Sequence, residues 1–228
     1  MVKDLIVFDM DGVLVEVTES YRATIQATVK HFTGHEPTRP EIQDWKNRGG
    51  WNDDWQLSHA MIKRQGVELP YDQVVEYFQA LFLGPNYGDG LISREVWFAQ
   101  PGLFERLSET HTLAVFTGRL RDEAKLTLSR FNCDLFAPIV GSDDVEHLKP
   151  NPEGLNKICA TVPHGKCWYV GDTIDDARAS KAAGVPFIGI AARANPRYDE
   201  LVSLLHGEGA AAILDDINSL ETVIAQNR

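Results

Sequence analysis

The run Leu5-Ile6-Val7-Phe8, broken at once by Asp9-Met10-Asp11-Gly12, constrains this chain more than any other feature. Four residues are too few for a stable helix, and apolar side chains on both alternations leave no face for water. The segment is therefore predicted to be a strand buried on both faces, the kind found in parallel sheets covered by helices. Four more runs repeat the pattern, at Leu113–Phe116, Pro138–Val140, Trp168–Val170 and Pro186–Ile190, with Ala212-Ile213-Leu214 as a shorter extension. Helical patterns fill the intervals, at Leu103–Leu107, Arg121–Phe131, Pro152–Ala160 and Asp175–Ala183. Strand and helix alternate, so the predicted class is α/β, a parallel sheet in three layers.

The first interval breaks that rhythm. From Val17 to about Gln100 the pattern is helical throughout. Tyr21, Ile25, Val29 and Phe32 share one helix face, and Gly34 supplies a stop. Thr38 with Glu41 reads as a capping box that opens a second helix. Leu57 and Met61 mark a third, ending near Gly66, and Val74, Val75, Phe78 and Leu81 a fourth. The expected organisation is a core of residues 1–16 and 98–228 with an inserted all-α cap of 17–97. Ligands in open parallel sheets bind at the carboxyl ends of strands, so an insert after the first strand is placed to cover such a site.

Composition narrows the partners. The chain has 22 Lys and Arg against 33 Asp and Glu, a net charge of −11. A surface that acidic repels nucleic acid and anionic membranes, and neither is expected as a partner. Cys133, Cys159 and Cys167 form no close-set pair in sequence; they are read as small core hydrophobes, without a disulfide framework. The apolar start ends at Asp9, too short for a signal peptide or a membrane span, and the expected compartment is the cytoplasm.

Polar clusters at the strand ends carry the chemistry. Asp9 and Asp11 sit two apart: one carboxylate can attack phosphorus while the other gives a proton to the leaving oxygen. Thr117-Gly118 ends the second strand and offers a hydroxyl and open backbone amides for a phosphate oxygen. Lys149, stiffened by Pro150 and Pro152, can neutralise charge between nucleophile and phosphate. Asp172 and Asp176 flank a helix start and provide the hard oxygen ligands magnesium prefers. Asp175, between them, reads as an acid favoured by the helix dipole.

With these four clusters in order, the chain resembles the haloacid dehalogenase-like hydrolase superfamily. Phe8-Asp9-Met10-Asp11-Gly12-Val13-Leu14 is similar to its first motif, Thr117-Gly118 to its second, Lys149-Pro150 to its third, and Gly171-Asp172 with Asp176 to its fourth. The branch it looks like is that of phosphoglycolate phosphatase and beta-phosphoglucomutase. The resemblance implies a Rossmann-like core and a helical cap, and a magnesium-dependent phosphatase acting on a small phosphorylated metabolite. It implies an aspartyl-phosphate on Asp9, with Asp11 as acid and base. Thr117 would hold a phosphate oxygen and Lys149 bridge phosphate and Asp9. The metal ligands would be Asp9, the Asp11 carbonyl, Asp172, and Asp176 directly or through water.

Departures weigh against the alternative, a sugar phosphomutase. Tyr21 stands where that branch has a cap histidine, Gly171 where it has a glutamate, and Glu16-Val17 where an Asp-Ser or Asp-Thr is usual. Since Val17 has no hydroxyl, nothing is expected to hold Asp11 away from water. The cap segment Lys46–Trp55 is similar to a loop that reaches into the site. Two readings stand side by side: Arg48 grips an anionic group there while Trp51 or Trp55 packs the substrate's apolar part, or the segment is a helix–helix connection with its tryptophans in the cap core; Gly118 is expected to contact substrate. Lys30, Lys46 and Lys63 leave open a cap lysine for Schiff-base, phosphonate-cleaving chemistry.

Overall fold

A computed structural model describes residues 2–226. Its elements follow in chain order: β1 (Asp4–Phe8), β2 (Val15–Glu16), α1 (Ala23–Thr33), α2 (Arg39–Arg48), α3 (Asp54–Arg64), α4 (Tyr71–Leu83), β3 (Val96–Trp97), α5 (Leu103–Thr110) and β4 (His111–Phe116). Then come α6 (Arg121–Arg130), β5 (Phe136–Val140), α7 (Glu153–Thr161), β6 (Cys167–Gly171), α8 (Ile174–Ala183), β7 (Phe187–Ile190), α9 (Tyr198–Gly207), β8 (Ala212–Leu214) and α10 (Leu220–Gln226). Six strands form one parallel sheet in the order β5-β4-β1-β6-β7-β8. The fold is α/β, as the alternating runs predict.

The β1 run is buried on both faces because its alternation feeds two separate cores. Ile6 and Phe8 enter a large cluster that also receives Ile25, Phe78 and Phe82 from the inserted helices, while Leu5 and Val7 join Leu155, Ile158 and Tyr169 on the other face. The four apolar β1 side chains, Leu5 to Phe8, are fully buried, each contributing about 1.5–3 kcal/mol of apolar burial. Phe8 is level with Val115 of β4 and Val170 of β6. The chain therefore leaves the sheet side by side at Asp9, Thr117 and Asp172.

The insert is built as its signals predict. Gly34 closes α1 in the left-handed conformation at φ 75°. The Thr38 N–H donates to Glu41 Oε2 at 2.7 Å, and the Glu41 N–H to Thr38 Oγ1 at 3.3 Å. The helical reading fails at its far end. Val96–Trp97 is not helical but pairs antiparallel with Val15–Glu16, so the outgoing and returning chains run as a two-stranded ribbon. The Lys46–Trp55 segment is also not all loop: Lys46, Asn47 and Arg48 are the last turn of α2, and Asp54 opens α3. Among the described residues, no helix is long and apolar enough to cross a membrane.

Candidate active site

The nucleophile candidate, Asp9, is buried at the end of the central strand. The Lys149 ammonium lies 2.9 Å from its Oδ1 and 2.8 Å from Asp176 Oδ1. Asp176 is saturated by protein donors. Its Oδ1 also accepts from the Tyr169 hydroxyl at 2.7 Å, and its Oδ2 takes the Thr173 hydroxyl at 2.6 Å and the Thr173 N–H at 3.0 Å. Asp172 is the opposite case, because no hydrogen bond reaches its carboxylate among the described residues. A Cβ on Gly12 would stand 2.1 Å from Asp172 Oδ2, and Gly12 also needs φ +74°, so only glycine lets the first loop come this close.

Charge in this cluster is unbalanced. Asp9, Asp172 and Asp176 each offer an oxygen within 4.8 Å of the others, and among the described residues the one cation paired with this cluster, Lys149, reaches Asp9 and Asp176 but not Asp172. Burial, offset by Lys149 and reinforced by Asp176 and Asp11, pushes the Asp9 carboxyl up to about 7. Burial and the neighbouring Asp9 push Asp172 well above the carboxylate range. Burial alone would raise Asp176, but Lys149 and its hydrogen bonds win and hold it low. Hard oxygen donors with surplus negative charge fit a small divalent cation.

Asp11 is gripped from the other side. Its Oδ1 accepts from Arg119 Nε at 2.7 Å and again from Arg119 Nη2. Arg119 is buried; its Nη1 donates to Thr127 Oγ1 at 2.8 Å, and its Nη2 forms an ion pair with Glu95 Oε1 at 2.7 Å. Its guanidinium carbon lies 4.7 Å over the Tyr21 ring. The Tyr21 hydroxyl donates to Glu123 at 2.7 Å, and Gln79 of α4 donates to the other oxygen of Glu123 at 2.7 Å. The expectation that nothing restrains Asp11 is thus overturned: a guanidinium, not a hydroxyl at position 17, holds it. Thr117 is buried, and its hydroxyl accepts the Arg119 N–H at 3.2 Å.

The pocket over these groups is lined by Asp9, Asp11, Gly118, Asp172 and Thr173 from the sheet side, and by Arg22, Lys46 and Asn52 from the insert. Asn52 reaches furthest, since a Cβ on Gly118 would meet its Nδ2 at 2.5 Å. Lys46 and Arg22 both pair with Asp54, Arg22 at 3.6 Å. Arg48 does not join them. It lies 5.6 Å over the Trp45 ring in a separate cavity with His35, Asp44 and Arg64. Residues 46 and 48 are two apart on α2, about 200° around the axis, so the helix that aims Lys46 inward aims Arg48 out. Trp51 packs edge-on against Trp45 at 4.7 Å, whereas Trp55 lines a small recess with Asp11, Tyr21 and Arg119. Asp175 accepts the Gly50 N–H on both oxygens at 2.8 Å, and so anchors the insert to α8 rather than joining the metal-type cluster.

Comparison with known proteins identifies the family. A profile of the family described as haloacid dehalogenase-like hydrolase matches residues 3–184, and the chain belongs to that family. An imidazoleglycerol-phosphate dehydratase of Phytophthora nicotianae is 33% identical over 194 residues; the match takes in 81% of this chain but 42% of that protein. A phosphoglycolate phosphatase of Pseudomonas fluorescens is 27% identical over 235 residues, covering 95% of this chain and 78% of its own. The structure of a phosphonoacetaldehyde hydrolase-like protein from Oleispira antarctica shares the fold, with a TM-score of 0.78 at 16% identity over 99% of this chain and 92% of that one.

Proposed function

We propose that this chain is a magnesium-dependent phosphatase of small phosphomonoesters, with residues 17–97 acting as a cap over the site. The observation that carries the proposal is Asp9: a buried carboxylate with one oxygen at Lys149 and the other without a protein partner among the described residues, facing a pocket that also holds Asp11 and Asp172. That free oxygen attacks phosphorus as the bond from phosphorus to the leaving oxygen breaks, and Asp11 supplies the proton the alcohol needs. Asp11 then takes a proton from water, whose oxygen attacks the aspartyl-phosphate and releases phosphate and Asp9. Lys149 offsets the negative charge at Asp9 throughout, and Thr117 and the Gly118 backbone are assigned to the phosphate oxygens. Asp9, the Asp11 carbonyl and Asp172 would hold magnesium, with Asp176 behind them, and the ion would supply charge neutralisation at the phosphoryl group. Since both Asp176 oxygens are already hydrogen-bonded, a role through water suits it better than direct ligation.

Specificity is assigned to Arg22 and Lys46, which add two positive charges to the pocket against Asp54. A second cavity of about 250 Å³ shares Arg22 and Asp172 with the pocket and continues past Gly12 to Arg39, Gln43 and Asn195. It is large enough for the alcohol half of a small metabolite. The likeness to the Pseudomonas phosphatase supports the reaction class. Lys46 is the one cap lysine at the pocket, but its ion pair with Asp54 and the presence of Asp11 favour ester hydrolysis over Schiff-base chemistry.

The Arg119 grip also gives a second reading its strongest footing. A sugar phosphomutase must keep Asp11 from activating water until sugar is bound, and a guanidinium clamp tied to Tyr21 is a device that could do so. Phosphate release decides. A panel of phosphorylated metabolites should yield a substrate that gives one free phosphate per ester consumed, with no bisphosphate activator needed. A hexose phosphate isomerised many times per phosphate released would overturn the phosphatase reading.

A further inference from the structure

At the opposite ends of the same strands lie two thiols and an imidazole that the proposed reaction does not use. Cys159 sits in the last turn of α7, Cys167 opens β6, and His164 stands in the short connection between them. The spacing is Cys-x4-His-x2-Cys, and the fold closes it: the two sulfurs are 3.7 Å apart. One ligand atom from each of the three residues lies within 4.8 Å of the others. We propose that Cys159, His164 and Cys167 bind a zinc-class divalent cation, with water as the fourth ligand.

Three features on this edge of the sheet point the same way. Two thiolates on a tetrahedral zinc, at about 2.3 Å each, stand about 3.8 Å apart along the tetrahedron's edge, whereas a disulfide needs about 2.05 Å. The observed 3.7 Å is the first spacing and not the second. His164 is prepared as well. Its Nδ1 lies 2.7 Å from the Val162 carbonyl, which can only accept, so Nδ1 carries the proton and Nε2 keeps its lone pair. Metal-binding histidines are oriented by the same kind of donation to a backbone carbonyl. All three side chains are half-buried, so an ion can enter and a water can complete the shell.

The ligand set separates this site from the carboxylates. Thiolate and imidazole select zinc, while the oxygen cluster at Asp9 suits magnesium. Five strand residues place Cys167 roughly 16 Å from Asp172, too far for a shared role. Binding releases the two thiol protons and ties the end of α7 to the start of β6. Lys149 lies just before α7 and Asp172 just after β6, so the ion braces the two segments that deliver them.

The test uses the full-length protein, reduced and then stripped of metal. It is incubated with Zn²⁺ in excess magnesium, desalted, and its metal counted; a parallel sample is titrated with Co²⁺. One zinc per chain is expected, with a cobalt spectrum showing tetrahedral visible bands and a thiolate charge-transfer band in the near ultraviolet. Zinc should raise the wild-type thermal midpoint. The double variant Cys159→Ser, Cys167→Ser should lose the charge-transfer band and retain no zinc, and His164→Gln should bind roughly 100-fold more weakly. Equal zinc in wild type and double variant would overturn the proposal, as would a protein that holds no zinc and is short by the two thiol hydrogens, which is a disulfide. Should the double variant not fold, the wild-type cobalt spectrum decides alone: without a thiolate band, there is no such site.

Discussion

Two buried charged clusters meet at the first loop, and they are built on opposite principles. Arg119 is well partnered: Asp11 and Thr127 take its hydrogen bonds, Glu95 forms an ion pair with it and Tyr21 covers its face. Around Asp9 three carboxylates converge, one ammonium pairs with two of them, and no hydrogen bond reaches the Asp172 carboxylate among the described residues. A satisfied network rigidifies what it touches, and an unsatisfied one stores repulsion that a ligand can relieve. In the proposed function the first cluster positions Asp11, and the second binds the ligand and carries the chemistry.

The largest expected effect tests that division at its centre. Asp9→Asn should lower turnover by roughly 10⁴-fold or more while circular dichroism stays unchanged, because an amide neither attacks phosphorus nor carries the charge. Phosphate release at a near wild-type rate would take Asp9 out of the reaction. Metal chelation should come next in size, silencing the enzyme until magnesium is restored. Full activity in excess chelator would mean that the repulsion at Asp172 serves no cation.

Arg119→Met sharpens the comparison from the other cluster. A loss of roughly 10²–10³-fold is expected for alkyl phosphates, whose poor leaving groups need the Asp11 proton. An activated aryl phosphate should instead show a burst, as the aspartyl-phosphate forms quickly and waits for water. Equal losses on both substrates, without a burst, would reduce Arg119 to a structural role.

Stability should respond to the same imbalance. The folded Asp9 binds its proton up to about pH 7, against the ordinary 3.8, so the folded state holds more protons than the unfolded one between those values. Stability of the magnesium-free protein should therefore fall as pH rises from about 4 to 7, and Asp9→Asn should flatten that slope. Asp172→Asn, which removes repulsion, should raise the metal-free thermal midpoint by about 2–4 °C while abolishing activity. Unchanged melting in scanning calorimetry would deny that the cluster is strained. The smallest effect belongs to the pocket rim: Arg22→Ala should raise KM for the natural substrate about tenfold and leave kcat nearly unchanged. An equal change for a bare aryl phosphate would remove Arg22 from substrate recognition.

Much of the sheet and the acid cluster was legible in the sequence, because each part announces itself locally. Asp9 ends a four-residue apolar run, and Asp172 and Asp176 straddle a helix start. The capping box at Thr38 and the stop at Gly34 are local too. The β2/β3 ribbon was not legible, since two-residue strands about 80 positions apart carry no periodicity. The helices α9 and α10 were not legible either. Arg119 stands two residues past Thr117, yet nothing near it indicates that its partners are Asp11, Glu95 and Tyr21.

What the sequence alone determined, then, is the order of buried strands and the polar residues at their carboxyl ends, because strand burial and helix capping act over a few residues. Only the tertiary structure decided which side chains share a pocket. On α2 it chose Lys46 over Arg48, since a helix turns 100° per residue and docking selects the face. It also turned Asp175 from a helix-start acid into the anchor for Gly50, and brought Cys159 and Cys167 to 3.7 Å across a loop. Long-range packing sets such contacts, and no short window of residues contains them.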